Sequence, residues 1–262
     1  MNMLEVSDHP VRAGSQESGR IRLIKLARPP VNALNRELVR DLTEAVKAAK
    51  EDSAIVISGQ PGLFSAGLDV PSLLALDRES ITGFFTDLWR LLRAIAASPT
   101  PVVFSITGHC PAGGTVLAIQ GDYRVLAKGE FRLGLNEVQV GLFPGGVIHA
   151  AFKRLVGGHA EQLLTRGALI DPETALRVGL VDELCEPDQV ESRAIELARE
   201  IAQLPREPML RTRALVRREL IDLYGAAGDA KDSEREFGVM GHDMWFAPAA
   251  QERLKVAFAK RK

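Results

Sequence analysis

With 262 residues, 46% hydrophobic, the chain suits one large domain or two modest ones and can bury a substantial core. A formal net charge of -1 argues against nucleic acid or an anionic membrane as the main partner. Its two cysteines, Cys110 and Cys185, give neither a disulfide framework nor a thiolate metal site, and its five scattered histidines lack a metal-ligand spacing. No apolar run approaches the roughly 20 residues of a membrane span, residues 1–19 lack a signal-peptide core, and the last residues are not a peroxisomal tail. The expected location is the cytoplasm.

Residues 21–27 read as a strand ended by Pro29-Pro30. Asn35 is placed to cap a helix to about residue 50, with Leu38, Leu42, Ala45, Val46 and Ala49 on one face. Residues 54–57 form a short apolar strand whose lack of alternation predicts burial on both faces. A loop over 60–71 precedes a long helix over about 78–97, with Ile81, Phe84, Phe85, Leu88, Leu91, Leu92 and Ile95 at helical spacing. Residues 102–106 are a strand, 112–120 a helix, 123–127 a strand, and 130–142 part extended, part turn. Gly145-Gly146 opens a helix to about 155, and short helices follow over 160–166 and 172–178. In the second, Asp171 fits the N-cap, Pro172 the first turn and Gly179 the position past the end. Val181 and Leu184 mark a last short strand. The remainder reads as helical, broken near Pro205, Pro208 and residues 225–228. Alternating strands and helices in the first half predict α/β layers with parallel pairing.

Three stretches carry chemistry. Gly108-His109-Cys110-Pro111-Ala112-Gly113-Gly114-Thr115 follows a strand and opens a helix, which leaves free backbone N–H groups that face the same way as the positive end of the helix dipole. Phe64-Ser65-Ala66-Gly67-Leu68-Asp69 is a second glycine turn after a strand, so the two turns together have the parts of an oxyanion hole; Asp69 also fits as a helix cap. Gly134-Leu135-Asn136-Glu137-Val138-Gln139-Val140-Gly141-Leu142 contains a lone acid, Glu137, in a largely apolar run. Burial without a partner raises a carboxyl pKa, which suits a general base near neutrality.

In this order and spacing the three stretches resemble the crotonase superfamily of enoyl-CoA hydratases and isomerases. Pro30-Val31-Asn32-Ala33-Leu34-Asn35 resembles that family's early motif, and Val181-Asp182-Glu183-Leu184 its late strand. The likeness runs over about residues 21–202. It implies an α/β fold, a crotonase-like ββα spiral core over residues 1–204 carrying the thioester site, with a C-terminal α-helical region, 205–262, for oligomer packing as a homotrimer or dimer of trimers. By the same resemblance the N–H groups of Leu68 and Gly113 form the oxyanion hole and Glu137 is the catalytic acid–base. Ala66, Gly67, Asp69 and Val70 line the coenzyme A side, and Asn136 sits beside the acyl chain. No metal or separate cofactor is implied, coenzyme A being part of the substrate.

One departure is informative. Hydratases of this family carry a second glutamate three residues beyond the central glycine, where this chain has Val116. Thr115 and Gln120 remain as water-binding groups there, but neither is a comparable base. A single carboxylate suffices to move a proton within a substrate, and the wording of the motifs is similar to Δ3,Δ2-enoyl-CoA isomerases of the mitochondrial type. The resemblance thus implies transposition of a double bond from C3 to C2 of an acyl-CoA in fatty acid β-oxidation. The alternatives are another acyl-CoA enzyme of the superfamily, hydratase-like or decarboxylating, and a non-catalytic acyl-CoA-binding scaffold. A serine or cysteine hydrolase lacks support, because no Gly-x-Ser-x-Gly elbow is present. Cys110 reads as a small buried filler. Arg211, Arg213, Arg217 and Arg218 read as a solvated helix face, or as a surface for coenzyme A phosphates of a neighbouring subunit. Phe237, Met240, Met244, Trp245 and Phe246 are apolar enough to dock onto the body or onto a second subunit.

Overall fold

A computed structural model describes residues 3–11, 19–225 and 230–259. Its main sheet has six strands: β1 (Leu4–Pro10), β2 (Arg20–Leu26), β3 (Ala54–Ser58), β5 (Val102–Ile106), β7 (Tyr123–Ala127) and β9 (Glu183–Cys185), side by side in that order. Only β1 and β2 pair antiparallel, Leu4 facing Leu26 and Pro10 facing Arg20; the rest are parallel. A second sheet of three short parallel strands, β4 (Gly62–Leu63), β6 (Gly108–Pro111) and β8 (Leu133–Gly134), collects the segments that follow β3, β5 and β7. Each turn of the chain therefore runs long strand, short strand, then helix or helical turn.

The helices between are α1 (Arg36–Ala48), α2 (Val70–Leu73), α3 (Arg78–Ala96), α4 (Gly113–Ala118), α5 (Gly146–Val156), α6 (Ala160–Arg166), α7 (Pro172–Arg177) and α8 (Val190–Ala202). Their starts follow the sequence signals. Asn35 accepts the Leu38 N–H, Asp77 the Ser80 N–H and Asp171 the Thr174 N–H. β3 and β5 are buried at every residue because both sheet faces are covered. On one face lie α1 and α3 over Ile55, Ile57, Phe64 and Phe104, the two rings packed edge to face. On the other, α8 sets Val190, Ala194, Ile195 and Ala198 over Val56, Val103 and Val125.

The tail is α9 (Arg206–Val216), α10 (Arg218–Asp222), α11 (Ala230–Trp245) and α12 (Pro248–Ala259). The chain packs α11 along α3 and α12 against α2 and the turn at residues 137–140. Phe237, Trp245 and Leu254 are thereby buried against the protein's own body. No helix among the described residues is long and apolar enough to cross a membrane.

The structure departs from the sequence reading at several points. β1 was missed, since it is exposed at most positions and so lacks an apolar pattern; it is an edge strand whose Asp8 pairs with Arg20 and Arg22. Residues 108–111 form strand β6 rather than a bare turn, and Gly108 lies against the Gly62 backbone with no room for a side chain. Pro208 falls in the first turn of α9, where a missing N–H costs nothing, so it breaks no helix. The break read at 225–228 lies largely outside the described residues.

The arginine cluster is not a uniformly solvated face either. Arg213 clasps Asp122 through Nε (2.7 Å) and Nη2 (2.9 Å) and donates to the Ser98 carbonyl. Arg217 is buried, donates to the Ala96 and Gln120 carbonyls, and pairs with Asp122 at 3.1 Å. These two side chains bind the tail to the end of α3 and to the segment leading into β7; Arg211 remains exposed and pairs with Glu207.

Candidate active site

The first glycine turn is held from beneath by the segment before α1. Buried Asn32 donates through Nδ2 to the Phe64 carbonyl (3.1 Å), and its own carbonyl accepts the Ser65 hydroxyl (2.7 Å). Ala66 N–H donates to Val31, Leu34 N–H to Gly67, and Asp69 N–H to Leu34. This ladder pairs the groups on either side of Leu68, and no acceptor among the described residues takes the Leu68 N–H itself. Gly67 has φ +89°, a conformation that glycine adopts without a steric penalty.

The second turn carries more strain. Ala112 has φ 48° and ψ -119°, outside the regions open to an L-residue at low cost. Thr115 holds it: its hydroxyl donates to the Cys110 carbonyl and accepts the Gly134 N–H, while Ala112 N–H donates to the Gly134 carbonyl. Gly113 N–H then opens α4 with no acceptor among the described residues. The two turns touch, since a Cβ placed on Gly67 would stand 3.2 Å from the Gly113 nitrogen.

The third stretch passes from β8 into a 3-10 turn, Glu137–Val140, closed by Gly141 in the left-handed region. Glu137 is partly exposed as a residue, yet its Oε2 is shut off from solvent and has no hydrogen-bond partner. Burial pushes this carboxyl up to about 7, against the lowering effect of a backbone hydrogen bond.

Leu68, Gly113, Val116 and Glu137 line one cavity of ≈ 50 Å³. The rest of its wall is Phe85 and Leu88 from α3, Leu142, Phe143, Pro144 and Ile148 around the start of α5, and Phe237, Met240, Gly241 and Met244 from α11. Among the described residues, Glu137 is the one titratable side chain in this wall. A larger hollow of ≈ 570 Å³ lies between β7, α5 and α9, lined by Asp122, Arg124, Arg154, Arg213 and Arg217 among apolar side chains. It contains no residue of the two glycine turns and not Glu137, so the smaller cavity is the candidate site.

The other expected residues lie outside this cavity wall. Ala66, Gly67, Asp69, Val70 and Asn136 are not in the cavity wall. Asp69 caps α2 by accepting the Ser72 N–H and pairs with Arg28, and Val70 is buried in the core. Thr115 and Gln120 are not free to bind water in the cavity. The Thr115 hydroxyl is committed as described, and Gln120 donates to Val116 and accepts the Tyr224 hydroxyl. Burial pushes the Cys110 thiol up to about 12, and His109 Nδ1 accepts the Arg132 N–H, so the adjacent pair forms no nucleophile and base. Sequence reasoning missed Gly241 and Phe143. The paired Gly238 and Gly241 of α11, three residues apart, were the available signal of a helix packed closely on another.

The family described as enoyl-CoA hydratase/isomerase matches residues 16–226. The chain belongs to that family, within the crotonase superfamily. The family member enoyl-CoA delta isomerase 1, mitochondrial, of Homo sapiens is 31% identical over 204 residues, 76% of this chain and 68% of the relative. A probable enoyl-CoA hydratase, EchA17 of Mycobacterium tuberculosis, is 33% identical over 199 residues, 74% of this chain and 76% of the relative. Among solved structures, human mitochondrial delta3-delta2-enoyl-CoA isomerase matches with a TM-score of 0.87 at 24% identity, covering 99% of this chain and 98% of that one. At that identity it shows the fold alone. Enoyl-CoA hydratase EchA3 of Mycobacterium ulcerans matches with a TM-score of 0.77 at 28% identity, covering 89% and 99%.

Proposed function

We propose that this family member is a Δ3,Δ2-enoyl-CoA isomerase. One observation carries the reading: among the described residues the cavity holds a single carboxyl, Glu137, raised to about 7, with Val116 in the wall where a second acid would be needed to hold water. In the proposed reaction the thioester oxygen of a 3-enoyl-CoA accepts the Leu68 and Gly113 N–H groups. Glu137 takes the proton from C2, and the electrons of that C–H bond pass into a dienolate whose negative charge rests on the thioester oxygen. The carbonyl then re-forms, the double bond settles between C2 and C3, and Glu137 returns the proton to C4. Atoms and electrons balance without a further reactant. In this reading Ala66, Gly67, Asp69 and Val70 line the coenzyme A thioester side, and Asn136 sits beside the acyl chain.

The test is a panel of 3-enoyl- and 2-enoyl-CoA thioesters, with isomerisation followed as conjugated-thioester absorbance and hydration followed separately. Isomerisation by the parent and its loss in Glu137→Gln are the expected results; parental turnover in Glu137→Gln removes Glu137 as the base. The hydratase names of some relatives favour a second reading, and efficient hydration of 2-enoyl-CoA would establish it.

A homotrimer, or two stacked trimers, is proposed as well, with residues 205–262 contributing to the packing. Its support is α9, which buries no residue in the single chain and leaves Leu215 72% and Val216 67% exposed. Sedimentation of the parent at about three or six times the monomer mass, and its decrease in Leu215→Glu, are expected; a monomeric parent overturns the proposal.

A further inference from the structure

The ββα spiral does not close the Glu137 cavity; α11 does. Two glycines pin that helix to α3. A Cβ on Gly238 would stand 2.6 Å from Thr86 Oγ1, and one on Gly241 would enter the Phe85 ring. Trp245, fully buried, meets the same Phe85 ring edge to face at 6.4 Å, and Phe237 is buried about two turns earlier. The helix backbone is therefore fixed close to the cavity.

Met240 and Met244 stand apart from those anchors. Each lines the Glu137 cavity and also, with Val239 and Asp243, an open groove of ≈ 550 Å³. The two methionines are thus a thin partition between the inner cavity and the groove. Met240 reaches across to the loop before α5, where its methyl group occupies the space that a side chain at Gly145 would need. Methionine is unbranched with three rotatable bonds, so this part of the wall can rearrange while the pinned helix stays in place.

The inner cavity of ≈ 50 Å³ is small beside a cavity of about 150 Å³ that accommodates benzene. Its wall beyond Glu137 is apolar, which suits a hydrocarbon tail and no polar one. We infer that Met240 and Met244 set the acyl-chain length accepted at this site, stopping the tail so that short chains, butanoyl to hexanoyl, fit and longer ones are rejected. This rests on the acyl-CoA reading above, and it adds which thioesters are taken and which side chains decide.

The experiment measures binding of saturated butanoyl-, hexanoyl- and decanoyl-CoA to the full chain by calorimetry, because saturated thioesters have no double bond to move. The parent is expected to bind decanoyl-CoA about tenfold more weakly than hexanoyl-CoA, the order of discrimination one or more ill-fitting methylenes produce. Met240→Ala and Met244→Ala are expected to bring the two affinities together by opening the partition into the groove. Met240→Phe, which keeps the wall filled, is expected to weaken hexanoyl-CoA relative to butanoyl-CoA. Equal hexanoyl and decanoyl affinities in the parent overturn the inference, as does a ratio unchanged in all three variants. If the ratio shifts as stated while no 3-enoyl-CoA is isomerised, the chain-length wall stands and the isomerase reading falls. Isomerisation with no chain-length ratio gives the reverse.

Discussion

Gly67 and Gly113 meet across two loops, so that a Cβ on Gly113 would stand 3.2 Å from the Gly67 Cα and 3.1 Å from the Leu34 side chain. This contact keeps Leu68 and Gly113 together in the wall of one cavity. Gly67→Ala tests it, because alanine at φ +89° is strained and its methyl would press on Ala112 and the Gly113 nitrogen at 3.2 Å. The expected cost is about 1–3 kcal/mol of stability. Turnover is expected to fall about 100-fold, near the lower end of the loss for one oxyanion donor. Thermal melting and steady-state kinetics separate the two effects; a variant with full turnover shows that the amides need not be held together.

The Glu137 carboxyl gives a pH signature with a definite sign. As a base it works only when ionised, so kcat/KM is expected to rise with pH through a midpoint at about 7. Stability is expected to move the other way. Between about 4.5 and 7 the unfolded chain has lost this proton and the folded chain still holds it, so the folded state loses stability as pH rises through that window. The loss in the substrate-free protein is on the order of 3 kcal/mol. Glu137→Gln is expected to remove that part of the pH dependence in urea unfolding and to lower turnover by about 10²–10⁴-fold. A stability profile identical in parent and variant places the carboxyl in water rather than in the cavity.

The sequence made much of this arrangement legible for physical reasons that differ from residue to residue. Gly67, Gly113 and Glu137 stand in local patterns whose chemistry is carried by the backbone or by a lone charge, and such patterns are visible without a partner. The helix caps at Asn35 and Asp171 are local in the same sense. What stayed hidden depends on contacts distant in the chain. Arg213 and Arg217 look like a charged helix face until Asp122, some ninety residues earlier, is brought beneath them. β1 has no apolar alternation because it is an edge strand, paired with β2 alone, whose side chains stay mostly exposed. Thr115 and Gln120 look available for water until Gly134 and Tyr224 take up their polar atoms. The tail's apolar residues announced a docking surface, but not that α3 was the surface or that Met240 and Met244 would enter the Glu137 cavity.

Asp122 separates fold from chemistry. Its carboxylate accepts the Val102 N–H at 2.8 Å, clasps Arg213 and pairs with Arg217, whose guanidinium burial lowers to about 10. Asp122→Ala would leave two arginines without this acceptor in a largely buried place. The expected destabilisation is about 3–5 kcal/mol, measured by chemical denaturation. Because Asp122 precedes β7 and takes no part in the Glu137 cavity, kcat of the folded variant at low temperature is expected to match the parent. A loss of kcat with stability retained would mean that the arginine network reaches the reacting atoms.

Val116 decides whether the missing second acid is what keeps hydration out. It is 3% exposed, lines the cavity opposite no other titratable group than Glu137, and lies one helical turn beyond Gly113. Val116→Glu puts a second carboxyl into an apolar wall, at a stability cost of a few kcal/mol unless it shares a proton or a water with Glu137. Sharing is the expected outcome, because two acids in one small site do not both ionise, and one ionised with one protonated is the state that delivers water to a conjugated double bond. Hydration of 2-trans-enoyl-CoA is therefore expected to appear, with a bell-shaped pH profile, while isomerisation falls. A variant that folds, binds acyl-CoA and isomerises at the parental rate without hydrating shows that something other than residue 116 keeps water from the double bond.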